Sequence, residues 1–201
     1  MEASVSQADG RHVVREEADL LDRSQKGDRE AYGVIVERYQ LRVYNLVLRM
    51  TGNPATAEEL AQEAFLRAYE NIRRFDTGRS FLPWIMCIAA NLARNHLKSA
   101  RQREMPQAAD DGFGDGGAPA EEDRMADRDR LARVERALMT LPLKYRLPLL
   151  LKHVEGMSYK EIKQATGLPV RVLKMRVHRA RKRLRAAVAS LDRERKERTR
   201  E

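Results

Sequence analysis

Cys87 is the only cysteine in 201 residues, so no disulfide can form within the chain, and a reducing cytosol is the expected compartment. Aromatic residues are scarce, 5% against an apolar content of 42%, so its cores must be small and mostly aliphatic. The four histidines, His12, His96, His153 and His178, are scattered, none at metal-ligand spacing from Cys87 or a carboxylate pair. No stretch approaches the roughly 20 uncharged apolar residues that span a bilayer, and residues 1–10 lack the basic-then-apolar order of a secretory leader. No nucleophile–base pair, phosphate-cradling glycine loop or metal cluster stands out. A disulfide scaffold and membrane insertion are thereby excluded. The expectation is a soluble cytoplasmic protein that is not an enzyme and takes no cofactor or metal.

What the chain has in abundance is charge, unevenly placed around a net +9. Residues 1–23 hold six acids and three bases, and 24–103 hold thirteen bases and eight acids. Residues 104–129 hold nine acids and two bases, and 130–201 hold twenty-one bases and seven acids. A mildly basic block and a strongly basic one, parted by an acidic stretch, make a two-module layout. The run EMPQAADDGFGDGGAPAEED (104–123) has no base and no apolar period. It cannot bury enough surface to offset its ordering entropy, which predicts a flexible acidic linker. The expected divisions are a segment over 1–23, domains over 24–103 and 130–190 with the linker 104–129 between them, and a charged tail over 191–201.

No segment alternates with period two, so the fold class expected is all-α, two small helical domains. In 28–50 the apolar positions Tyr32, Ile35, Val36, Tyr39, Val43, Leu46, Val47 and Met50 recur at helical steps. Asn53-Pro54 supplies an N-cap and a first-turn proline. The next helix turns Ala57, Leu60, Ala61, Ala64, Phe65, Ala68 and Ile72 inward and carries Glu58, Glu59, Gln62, Glu63 and Arg67 on its other face. After the turn Asp76-Thr77-Gly78-Arg79, a third helix is predicted over Leu82–Lys98, with Trp84, Ile85, Ile88, Leu92 and Ala89 inward. In the second module Leu131, Val134, Leu138 and Leu141 mark one helix, stopped by Pro142. Another covers about Leu143–Val154, with Pro148 early in it or bending it.

Gly156 closes that helix, and Ser158 with Glu161 forms a capping box. The short helix so opened stops at Gly167, and Pro169 begins the last and longest one. A short capped helix, a tight glycine turn and a long basic helix make a helix-turn-helix signature. Residues 170–185, VRVLKMRVHRARKRLR, carry eight Arg or Lys and no acid. Val170, Leu173, Val177, Ala180, Leu184 and Val188 form one apolar seam. The opposite surface presents Arg171, Lys174, Met175, His178, Arg179, Arg181 and Lys182. A solvated basic face and a membrane-surface helix are the competing readings. The missing aromatic edge weighs against a membrane, and the cap, turn and preceding helix favour the DNA major groove. His178 on this face could contact a base or phosphate, or be an ordinary exposed histidine.

The order of motifs resembles the extracytoplasmic-function (ECF) group of bacterial RNA polymerase sigma factors over residues 24–187. Domain two of that family is matched by GDREAYGVIVERYQ, AEELAQEAFLRAYENIRRFD and FLPWIMCIAANLARNHLK. Domain four is matched by ALMTLPLKYRLPLLL, EGMSYKEI and VHRARKRLR. The resemblance implies binding to core RNA polymerase, at its clamp helices and flap, promoter recognition and DNA melting. Glu59, Gln62, Glu63 and Arg67 then face polymerase. Phe75, the loop Asp76, Thr77, Gly78, Arg79 and Ser80, and Asn91 face the −10 element, with Arg79, Arg94 and Lys98 as phosphate contacts. Trp84 could stack on a base, although its apolar phase favours the core. The −35 element falls to Arg171, Lys174, Met175, His178, Arg179 and Arg181, with Lys152, Tyr159 and Lys160 on the flanking scaffold. Partners implied are core RNA polymerase, promoter DNA both duplex and melted, and an anti-sigma factor.

Two departures stand out. Where the family often reads Gly-Thr-Val-Lys-Ser-Arg, this chain has Arg171-Val172-Leu173-Lys174-Met175-Arg176, which should alter phosphate and base contacts. Lys163 replaces the usual alanine after Glu-Ile, at a position expected to pack closely. The linker of the family runs through a basic polymerase channel, which gives the acidic stretch here a possible role. The competing functions are a helix-turn-helix regulator that works without polymerase and an adaptor with a membrane-binding tail.

Overall fold

The computed structural model describes residues 15–104 and 125–198, with side chains over 15–100 and 130–193. Most of the expected linker, residues 105–124, therefore lies outside the described residues, as do His12 and the end of the tail. Every regular element among the described residues is helical. The first module contains α1 (15–25), α2 (Arg29–Thr51), α3 (Pro54–Asn71), a 3-10 turn (Ile72–Arg74) and α4 (Phe81–Glu104). The second contains α5 (Met125–Met139), α6 (Leu143–His153), α7 (Tyr159–Thr166) and α8 (Val170–Arg198).

In α2 the three- and four-residue steps bury Ile35, Val43, Leu46, Val47 and Met50 to 1% exposure or less. Each such side chain contributes about 1.5–3 kcal/mol on leaving water, so the stripe, rather than helix propensity, holds α2 against α3 and α4. Gly52 closes α2 at φ +73°, its N–H donating to the Leu48 carbonyl at 2.8 Å. Asn53 Oδ1 then accepts from the Thr56 amide at 3.0 Å and opens α3, with Pro54 in the first turn. α4 starts at Phe81 and runs to Glu104, beyond the Leu82–Lys98 read from the periodicity. Its buried face includes Phe81, Met86, Ala90 and Ala93, while Trp84 and Ile88 are only partly buried.

α1 is packed onto this bundle through Leu20 and Leu21, both buried. The Glu17 carboxylate accepts from the Tyr39 hydroxyl and, at 2.9 Å, from the Phe81 amide at the start of α4. Burial first, and then that carboxylate, pushes the Tyr39 phenol upward, so it stays a protonated donor. At the end of α1, Gln25 Nε2 donates to the carbonyls of Ile72 at 2.9 Å and Phe75 at 2.7 Å. One short helix thus ties down both ends of the loop between α3 and α4.

In the second module Leu150, Leu151, Ile162, Leu173 and Ala180 are buried to 1% or less where α6, α7 and α8 meet. Leu131, read as part of the α5 stripe, is instead 57% exposed. Pro148 lies inside α6 and is buried; it lacks the N–H that would reach the Lys144 carbonyl. The capping box is complete: Glu161 N donates to Ser158 Oγ at 3.3 Å and Ser158 N to Glu161 Oε2 at 2.7 Å. Gly167 ends α7 at φ +70°, a conformation a side chain rarely adopts. Lys163, unexpected at a packed position, points to solvent and causes no clash. Ser158→Ala should lower stability by about 1 kcal/mol, seen as a lower urea midpoint at unchanged m-value; an unchanged midpoint would show that the cap adds nothing.

Candidate polymerase and nucleic-acid interfaces

The polar ridge of α3 is at the surface: Glu58, Glu59, Gln62 and Arg67 are exposed and Glu63 is half-buried. It is braced along its own axis, with Arg67 Nη2 2.5 Å from Glu63 Oε1 and Gln62 Nε2 3.5 Å from Glu58 Oε1. Leu66 stands among them at 65% exposure. Charge patterning alone passes over it. The available signal is an apolar residue four after Gln62 and three after Glu63, on the face that α3 does not bury.

Beyond α3 the chain turns sharply. Asp76 Oδ1 accepts from the Gly78 amide at 3.1 Å, its carbonyl accepts from the Arg79 amide at 2.9 Å, and Oδ2 lies 3.0 Å from Arg79 Nε. The turn presents Asp76, Gly78, Arg79 and Ser80 to solvent, with Thr77 half-buried. Phe75, expected to face the −10 element, is buried at the start of this turn. Its side chain is 9% exposed and lies against Trp84, centroids 4.6 Å apart, and edge-on to Phe81 at 5.8 Å. An apolar ring beside a cluster of aromatic residues gains more by burial than by facing water.

Trp84, assigned to the core from its phase, has one side on Phe75 and Phe81 and is only partly buried. It lines a cleft of about 410 Å³ with Arg67, Asn71, Arg74, Ile88 and Asn91. Sequence reading picked Asn91 and Arg67 of this set, for different partners, and missed Asn71, Arg74 and Ile88. Only the packing of α3 on α4 brings these positions together. The cleft offers an aromatic wall, two amides, two guanidinium groups and no acid, which suits a base on an anionic strand. Farther along α4, Arg94 is half-buried and Lys98 exposed.

On the second module Arg171, Lys174, Met175, His178, Arg179 and Arg181 are all exposed along α8. Leu173, Val177 and Ala180 on the opposite side are buried. Tyr159 has Lys152 Nζ 5.3 Å and Lys174 Nζ 5.9 Å from its ring centroid, and Lys160 beside it is exposed. His96 and His153 are exposed as well.

The two modules touch. Arg42 Nε lies 3.1 Å from Glu155 Oε2, and its Nη2 donates to the Glu155 carbonyl at 3.2 Å; the Glu155 side chain is 4% exposed. A methyl at Gly52 would come within 2.5 Å of Met139 Cε. The Cys87 thiol donates to the Ala165 carbonyl at 3.1 Å, and burial pushes its pKa up, which keeps it from acting as a thiolate. A second cavity, about 870 Å³, opens here, lined by Asp76, Arg79, Ser80 and Trp84 from one module and Ser158, Lys160 and Gln164 from the other. No helix among the described residues is long and apolar enough to cross a membrane.

Known proteins carry the same two modules. Residues 35–103 match the Sigma-70 region 2 family and residues 131–184 match Sigma-70, region 4. The chain is 35% identical over 176 residues to the ECF RNA polymerase sigma factor SigW of Bacillus subtilis, covering 83% of this chain and 93% of that protein. It is 33% identical to the ECF RNA polymerase sigma-E factor of Escherichia coli, covering 81% and 88%. The fold is similar to that of CnrH in its complex with the cytosolic domain of CnrY, with a TM-score of 0.65, 23% identity, and coverage of 87% of this chain and 98% of that one. The sigma factor RpoE of Bartonella quintana, in complex with the anti-sigma factor NepR, gives 0.65 at 19% identity, covering 79% and 96%. Two matched regions in order, and relatives aligned over most of their length, place this chain in the ECF group of RNA polymerase sigma factors.

Proposed function

We propose that this transcription initiation factor divides its work among three surfaces: the α3 ridge for core polymerase, the α3–α4 cleft with the Asp76–Ser80 turn for the melted −10 strand, and α8 for the duplex −35 element. The observation that carries the assignment is the acid-free cleft walled by Trp84. Opening a promoter requires a base to leave its stack, at a cost of about a few kcal/mol, and something must receive it. Here Trp84 offers a ring face, Asn71 and Asn91 offer donors and acceptors, and Arg74 neutralises the strand, while Arg67 at the rim is paired with Glu63. Duplex recognition on α8 then fixes register, its first two turns reaching base edges and the arginines beyond them holding phosphates.

The chain acts on this reading without catalysing a reaction and in the cytoplasm; its working units are the expected 24–103 and 130–190, the first extended by α1 and the second by the start of α5 and the end of α8. An anti-sigma factor is its expected regulator, by similarity to the Bartonella quintana complex. A regulator working without polymerase is not favoured, because a Sigma-70 region 2 module has no task in it.

The test is promoter opening by reconstituted holoenzyme on a promoter it selects from genomic DNA, read by permanganate reactivity of unpaired thymines. Arg74 and Asn91 are exposed, so Arg74→Ala/Asn91→Ala should keep its fold and polymerase binding yet open the promoter about 10-fold less, the loss of one or two hydrogen bonds to a base or phosphate. Undiminished opening would remove the cleft from the mechanism.

A further inference from the structure

Beside α8, on the side away from Tyr159, three cations converge on a single phenol. Tyr145, the third residue of α6, has the Arg183 guanidinium carbon 4.9 Å and Lys144 Nζ 5.5 Å from its ring centroid. Lys144, Arg179 and Arg183 are exposed and Tyr145 half-buried. None of the three cations pairs with a carboxylate among the described residues. The Arg179 guanidinium beside it, with the charges of Lys144 and Arg183, holds the phenol below its ordinary pKa. Three like charges gathered without an acid repel one another, and a bound anion relieves that repulsion.

The phase of α8 says which anion. At about 100° per residue, burying Leu173, Val177 and Ala180 puts Arg171, Met175, His178 and Lys182 in the middle of the outer face. Lys174 falls on the α7 flank beside Tyr159, and Arg179 and Arg183 fall on the α6 flank beside Tyr145. A helix seated in the major groove lies between two phosphate backbones. Tyrosine hydroxyls, arginine and lysine are all phosphate donors at such sites.

We infer that Tyr145, Lys144 and Arg183 join Arg179 in a clamp that holds a backbone phosphodiester of duplex DNA on the α6 side of the groove, opposite the Lys152–Tyr159–Lys174 group. The inference rests on the reading of α8 as the duplex-binding helix. The clamp carries no sequence information; it sets the tilt at which α8 presents His178 and Met175 to the bases.

The experiment measures holoenzyme affinity for a duplex promoter fragment and for a scrambled duplex across a salt series, with wild type, Arg183→Gln, Tyr145→Phe and His178→Ala. Arg183→Gln should lower the slope of log K against log salt by about 0.9 and weaken both duplexes equally. Tyr145→Phe keeps the ring and should cost about 3- to 10-fold on both duplexes at unchanged slope, the loss of one hydrogen bond. His178→Ala should reduce preference for the promoter over the scramble at unchanged slope. If Arg183→Gln and Tyr145→Phe match wild type while His178→Ala loses preference, the clamp is overturned and the reading of α8 stands. If none of the three changes duplex binding, both are overturned. If Arg183→Gln or Tyr145→Phe instead loses co-elution with core polymerase, the cluster is a protein contact and the clamp is overturned.

Discussion

A Gln62→Ala/Glu63→Arg variant should elute apart from sigma-free bacterial core RNA polymerase on a sizing column, while the wild-type chain co-elutes with it. The substitution acts on the exposed face of α3, where Glu63 is already paired with Arg67 at 2.5 Å. Reversing Glu63 sets two cations side by side at i and i+4 and replaces a ridge of mixed charge with a positive one. Like charges brought together at an interface cost several kcal/mol, and about 3 kcal/mol is more than 100-fold in affinity. The fold should be spared, since surface changes of this kind stay within about 0.5 kcal/mol. Leu66→Ala is the companion test. Covering a leucine that is 65% exposed in the free chain is worth about 1.5 kcal/mol, so its removal should weaken the complex about 10-fold. Co-elution of the double variant at wild-type strength would move polymerase docking off α3.

Phe81→Ala should be the most damaging single change to the first module, at about 3–5 kcal/mol. Its ring is fully buried between Tyr39, at 5.8 Å, and Trp84, at 5.5 Å, with Phe75 edge-on at 5.8 Å. Its amide is the group that Glu17 holds at the start of α4. Removing the ring leaves a cavity under the two aromatic residues that flank the Asp76–Ser80 turn. A small domain has only about 5–15 kcal/mol in total, so the melting temperature should fall by roughly 15–30 °C. Below that melting point the holoenzyme should still form, because α3 is held by α2 as well as by α4, but promoter opening should fall with the loosened turn and cleft wall. An unshifted melting temperature would show that the aromatic cluster does not hold the loop. Opening at the wild-type level in a destabilised variant would show that the turn needs no such support.

Much of the site was legible because its signals are local. The Asn53-Pro54 start, the Ser158–Glu161 box, the Gly167 stop and the seam from Leu173 to Ala180 each depend on residues within a turn or two of one another, where spacing dictates geometry. The exposed ridge from Glu59 to Arg67 and the outer face of α8 follow from the same periodicity, since knowing the buried stripe fixes the opposite face. Trp84 shows where this stops. Phase placed it on the apolar side, but a helix edge is half in and half out, and only the neighbouring helix decides which half is a cleft wall.

The sequence by itself thus determined the helices from α2 to α8, their caps, the two-module layout, the basic helix and the family to which they belong, while α1 emerged only from its packing on the bundle. Tertiary structure alone decided that Glu17, 64 residues away in the chain, anchors Phe81, and that Phe75 turns inward beneath Trp84. It also decided that Arg67, Asn71, Arg74 and Asn91 share one cleft, and that Arg42 and Cys87 meet Glu155 and Ala165 across the modules. The physical reason is the range of the forces involved. Caps and periodicity are fixed by dihedral angles and hydrogen bonds between near neighbours. A cleft is set by how two buried stripes interdigitate, and that depends on every side chain that fills the space between them.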